Sequence, residues 1–133
     1  MKKLFFTFLI AGTGLLFLNF TTPSEDKLAK VTSDNAIEIP DNVQSILDNS
    51  CYGCHNSDSK NQKGRDKLSF DKLNDIKTYK AIGKLTDIAD VVAEGEMPPK
   101  KFLKNYPDRA LSAEDKETLK NWATEAANNL AGK

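Results

Sequence analysis

Residues 51–55 read Cys-Tyr-Gly-Cys-His, and they hold the only two cysteines and the only histidine of a 133-residue chain. Two thiols separated by two residues, with an imidazole directly after them, narrow what the chain can become. Cys51 and Cys54 stand about one turn apart, and Gly53 between them tolerates close approach of the backbone to a flat group. His55 offers a metal-binding nitrogen from the same segment. C-x-x-C-H is the attachment pattern of a c-type haem: both thiols add across the vinyl groups, and the histidine becomes the proximal iron ligand. The pentapeptide therefore predicts one haem c, covalently held by Cys51 and Cys54, with His55 on the iron.

Other uses of these side chains fit less well. Zinc takes four good ligands; here there are three, and neighbours in sequence chelate poorly. A thioredoxin-like pair prefers a βαβ setting, and the chain has neither strand alternation nor an internal repeat. A plain disulfide at 51–54 is the remaining alternative. If the iron is six-coordinate, its second axial ligand is not a histidine, because none is left. Met97 is the one methionine besides Met1. It lies 42 residues after His55, beside Pro98-Pro99 rather than in an apolar stripe, and is the predicted distal ligand. Lys100 or Lys101 is the alternative. A soft, neutral thioether favours ferrous iron and raises the reduction potential. Arg65 is a candidate partner for a haem propionate, since a guanidinium matches a planar carboxylate; the alternative is a solvated loop charge. Tyr52 is expected to cover the haem edge, and Trp122 to pack as core.

The N-terminus is a targeting segment. Lys2-Lys3 form a short positive region, and Leu4 to Phe20 is almost uninterrupted apolar sequence. Residues 1–24 are read as a signal peptide, or else as a retained membrane anchor through residues 4–20. The cleavage site is poor, and the apolar run is slightly short of the ~20 residues that span a bilayer. Either way the domain is exported, with a periplasmic location expected. Residues 25–39 read as a polar linker, and 40–133 as one domain. The 19 basic and 19 acidic residues balance over the whole chain, so nothing points to nucleic acid.

The domain reads as all-α, a cytochrome c-like helical fold around one covalent haem. Asp41 is a predicted N-cap for a short helix bearing Val43, Ile46 and Leu47. Asn56 to Lys67 reads as a polar loop. Ser69 is placed to cap a brief helix with Phe70, Leu73 and Ile76. A stronger helix runs from about Thr78 to Glu94, with Ile82, Leu85, Ile88, Ala89 and Val92 on one face, and Gly95 ends it. Lys100 to Arg109 reads as a loop anchored by Phe102, Leu103 and Tyr106. Ser112 and Asp115 approximate a capping box for a last helix whose buried stripe is Leu119, Trp122, Ala126 and Leu130.

Taken in order, Val43-x-x-Ile46-Leu47, Cys-Tyr-Gly-Cys-His, Gly64-Arg65-x-x-Leu68-x-Phe70, Gly95-x-Met97-Pro98-Pro99 and Leu111-Ser112-x-Glu114 with Trp122 resemble a class I cytochrome c domain. More narrowly, they resemble the small exported haem-binding domain family, over roughly residues 40 to 130. The resemblance implies a compact helical fold around haem c with Met97 distal. Longer members carry a Tyr/Pro/Trp-rich segment soon after the histidine; here Asn56 to Lys63 is short and polar, which implies a more exposed haem edge. The expected function is a mono-haem cytochrome carrying single electrons between redox protein partners. It is not expected to be an enzyme. The alternative is a haem sensor or peroxidase-like enzyme with a labile distal ligand, against which stands the lack of a second histidine or an acid–base pair.

Overall fold

The computed structural model describes residues 36–133. Among them are five α-helices, two 3-10 helices and no β-strand: α1 (Asp41–Ser50), α2 (Gln62–Lys67), a 3-10 helix (Phe70–Asp75), α3 (Thr78–Ala93), α4 (Lys100–Leu103), a second 3-10 helix (Pro107–Arg109) and α5 (Ala113–Leu130). The fold is all-α, as the helical periodicity predicts. No helix among the described residues is long and apolar enough to cross a membrane. The candidate signal or anchor segment, residues 1–24, lies outside them, as does most of the expected linker.

The core follows from two stripes. On α3 the buried residues are Ala81, Leu85, Ile88, Ala89 and Val92, and on α5 they are Leu119, Trp122, Ala123, Ala127 and Leu130. Both sets recur at three- and four-residue spacing, so each helix buries a single face. α3 and α5 form the most extensive helix pair, and α1 packs on α5 through its own buried Val43 and Leu47. Small side chains in both stripes let the α3 and α5 axes approach. Leu47, Leu85 and Leu119 lose all solvent contact at the centre.

The helix ends are set by local chemistry. Ser112 Oγ accepts from Asp115 N at 3.0 Å, and Asp115 Oδ2 accepts from Ser112 N at 2.9 Å, which completes the expected capping box. At the end of α3, Gly95 takes φ +70°. Glu96 N donates to Val91 O at 2.9 Å and Gly95 N to Val92 O at 3.1 Å. This is the paired closure in which a left-handed residue satisfies the last carbonyls, and glycine adopts it without strain.

Four expectations need correction. Asp41 is not the N-cap of α1: Pro40 is, with its carbonyl accepting from Gln44 N at 2.8 Å, so Asp41 is already helical. Its carboxylate instead favours the positive end of the helix. The supposed loop at 56–67 contains α2, opened by Asn61 Oδ1 accepting from Gly64 N at 3.0 Å. The supposed loop at 100–109 contains α4 and a 3-10 turn, and Tyr106 is 51% exposed rather than a buried anchor. Ser69 sits at the N-cap position of the first 3-10 helix but makes no cap bond there; its hydroxyl donates to Arg65 O at 3.1 Å.

The domain also begins before Pro40. Ile37 is buried in the core and exchanges bonds with the Asn74 side chain, which accepts from Ile37 N at 2.8 Å and donates to Ile37 O at 3.1 Å. Trp122 Nε1 donates to Glu38 O at 2.9 Å. The last residues of the expected linker are therefore docked structure. Trp122→Phe keeps an aromatic six-membered ring but removes the N–H and the rest of the buried indole, which orphans that carbonyl and opens a small void. The lost bond alone is expected to cost about 1 kcal/mol, a fall in Tm of roughly 4–8 °C for a domain of this size, and the void adds to it. Thermal unfolding measures the loss, and faster amide exchange at 37–39 locates it.

Candidate functional site

A cavity of about 680 Å³ opens between the cysteine-bearing turn, α2, the end of α3 and the segment from Met97 to Leu111. That is well within the roughly 300–1,000 Å³ of small-ligand and cofactor sites. Four of the six candidate side chains, Cys51, Cys54, His55 and Met97, line it together. Tyr52 and Arg65 do not.

The turn is a continuation of α1. Cys51 N and Tyr52 N both donate to Leu47 O at 2.8 Å. Cys54 N and His55 N then return to Cys51 O at 3.0 and 3.1 Å. This coiling brings both sulfurs onto the cavity wall as free thiols. Burial, with Cys54 adding a smaller push, raises the Cys51 thiol to about 12. A redox-active C-x-x-C depends on a depressed thiol pKa; Cys51 is displaced the other way.

His55 Nδ1 lies 3.1 Å from Gly64 O and 3.3 Å from Leu68 O. Carbonyls only accept, so Nδ1 carries the proton and Nε2 keeps its lone pair for a metal. Such a backbone contact fixes the tautomer and raises the basicity of a metal-bound imidazole. Phe70 supports the same residue twice: its N donates to His55 O at 3.1 Å, and its ring meets the imidazole edge-on at 6.3 Å. Tyr52 stacks on the far side of this support, 5.6 Å from Phe70. Its placement is as a buttress of Phe70 rather than on the cavity.

Gly64 is what lets α2 come so close. A Cβ there would stand 2.6 Å from Cys54 O, a backbone atom that cannot step aside. The short polar stretch before α2 is a hydrogen-bonded scaffold. Ser59, buried, donates to Gly53 O at 3.0 Å and accepts from Asn61 N at 3.2 Å. Arg65 Nη1 donates to Ser59 O at 2.7 Å, so the structure uses this guanidinium to clamp the loop. Ser57 N and Oγ both donate to the Asp71 carboxylate, and the hydroxyl bond chiefly holds that carboxyl below its usual range. The sequence does not single out Ser59 or Asn61, and it marks Gly64 only within Gly64-Arg65-x-x-Leu68-x-Phe70, not as a site residue.

Met97 follows the closure at Gly95 and is half-buried; the Met97–Pro98 peptide is cis. The apolar part of the wall is Val92, Pro98, Pro99, Leu111 and the Phe102–Tyr106 pair, whose rings lie 4.9 Å apart. Its charged residues are Lys63, Lys67 and Arg109, with no carboxylate. Among the described residues, no group of three or more His, Cys, Asp and Glu side chains is placed to hold a bare metal ion.

An apolar slot with one available imidazole nitrogen, a thioether and cationic edges fits a flat metallomacrocycle that carries carboxylates, and this defines the class as a haem protein. The family comparison agrees: residues 58–125 match the model of the haem-binding domain, and the chain belongs to that family. The match spans about half of the 133 residues and starts three residues beyond His55. It covers Gly64, Leu68 and Met97 but not Cys-Tyr-Gly-Cys-His, so it supports a haem cofactor without bearing on how the two cysteines hold it. No curated protein and no solved structure matches the chain.

Proposed function

We propose that this protein is an exported mono-haem c-type cytochrome, of the class I kind, that carries single electrons between redox proteins. The observation that carries this reading is the commitment of His55 Nδ1 to two backbone carbonyls inside a cavity shared with Met97. When bound, the haem supplies an iron that changes its charge by one electron. Cys51 and Cys54 tether it covalently. His55 ligates through Nε2, and its carbonyl contacts keep the ring from turning. Met97 would supply a thioether, which favours the ferrous state and raises the potential. An iron held by both His55 and Met97 would leave substrates no open site, as suits a carrier rather than an enzyme.

The location is the periplasm, since this attachment is completed outside the cytoplasm; residues 1–24 serve as signal peptide or tether. Lys100, Lys101 and Lys104 are exposed on the segment that follows Met97, and they favour encounter with acidic redox partners.

Spectroelectrochemistry of the matured protein tests the reading. A single reversible one-electron wave is expected, together with the weak red charge-transfer band of ferric iron bound to a thioether. Absence of that band, with prompt CO or peroxide binding to the resting protein, overturns the carrier reading in favour of a sensor or peroxidase-like enzyme.

A further inference from the structure

A porphyrin is apolar across its faces but ends in two carboxylates on the edge away from its vinyl groups. The cavity has three cations to meet them and no acid. Arg109 is already engaged: its Nη1 donates to Asn49 O at 3.0 Å, at the end of α1. Among the described residues, no hydrogen bond of this kind engages the ammonium groups of Lys63 and Lys67. They stand one turn apart on α2 and both line the cavity. Neither has an ion-pair partner among the described residues; the nearest acid in sequence, Asp66, faces Arg65 Nε at 3.9 Å.

Lys67, in the last turn of α2, is well placed for the helix dipole, but Lys63 is not, and the pair is unfavourable for the helix by itself. Like charges four residues apart repel. Lys63 also sits in the first turn of α2, where the helix dipole disfavours a cation. α2 buries no residue that would offset this. A dianion seated against the pair removes both penalties.

We propose that Lys63 and Lys67 bind the propionate carboxylates of the haem and form a cationic clamp on the α2 side of the cavity. This rests on the haem reading above. The clamp flanks Arg65, whose own guanidinium is turned to Ser59 O. The same six-residue helix then serves the cofactor twice, through the Gly64 carbonyl on His55 and through two ammonium groups on the carboxylates.

The test compares the haem-loaded wild type with Lys63→Gln/Lys67→Gln, Lys63→Arg/Lys67→Arg and the control Lys72→Gln, whose cation pairs with Asp75 at 3.6 Å away from the cavity. The readouts are the propionate-bending band in the resonance Raman spectrum and the reduction potential, with far-UV circular dichroism confirming the fold. The glutamine pair is expected to shift the band and lower the potential, because positive charge near the iron disfavours the ferric form. The arginine pair restores the band, and Lys72→Gln leaves it unmoved. An unshifted band in the glutamine pair, with haem attached, overturns the clamp and leaves the haem reading intact, even if the potential drifts with the lost charge. A wild type that takes up no haem brings down both.

Discussion

Met97→Ala leaves the haem attached and lowers the reduction potential sharply. On the proposed reading, covalent attachment needs only Cys51 and Cys54, and proximal ligation needs only His55; none of these lies in the Met97 segment of the sequence. The loop itself survives, because its entry is fixed by the Gly95 closure and its exit by Pro98-Pro99 and α4. What would disappear on that reading is the soft ligand that holds the ferrous state. Axial ligation commands a span of roughly 0.8 V across haem proteins, so the fall is a substantial part of that range rather than a small drift. The red charge-transfer band vanishes, and the vacated position admits CO. An unchanged potential and band would assign the distal position elsewhere, Lys100 or Lys101 being next in line.

Gly64→Ala is expected to be the most damaging small substitution on the proximal side. The new methyl group would sit 2.6 Å from Cys54 O, so either α2 or the cysteine turn must move. Forcing an extra methyl into such a contact costs about 1–3 kcal/mol, a drop in Tm of roughly 4–8 °C per kcal/mol for a domain of this size. The displacement also pulls Gly64 O off His55 Nδ1, leaving the longer contact to Leu68 O at 3.3 Å. A less polarised imidazole is a weaker donor to iron, so the potential rises, opposite in sign to Met97→Ala. Thermal unfolding and spectroelectrochemistry of the same sample read both effects. A variant with wild-type Tm and potential would show that the α2 contact is not what orients His55.

What the sequence discloses depends on where the stabilising interactions lie. α3 and α5 are legible because each carries a full apolar stripe, and their ends are legible because Gly95, Ser112 and Asp115 act on their own neighbours. The candidate cofactor residues are legible as a group because thiols and imidazole fall in one pentapeptide. α2 is not, since Gln62 to Lys67 has no apolar period; it stands on the Asn61 cap and on its contact with Cys54 and His55. For the same reason Arg65 invites a reading as a propionate ligand while its partner, Ser59 O, lies across a turn. The docking of Ile37 and Glu38 depends on Asn74 and Trp122, 37 and 84 residues away, and nothing local signals it.

The most direct test of the account is the mass and visible spectrum of protein matured with the haem-attachment machinery. Coloured protein is expected, in which the peptide spanning Cys51–His55 is heavier by one haem, with neither sulfur open to alkylation. Colourless protein of unmodified mass, with both thiols alkylated, would contradict it.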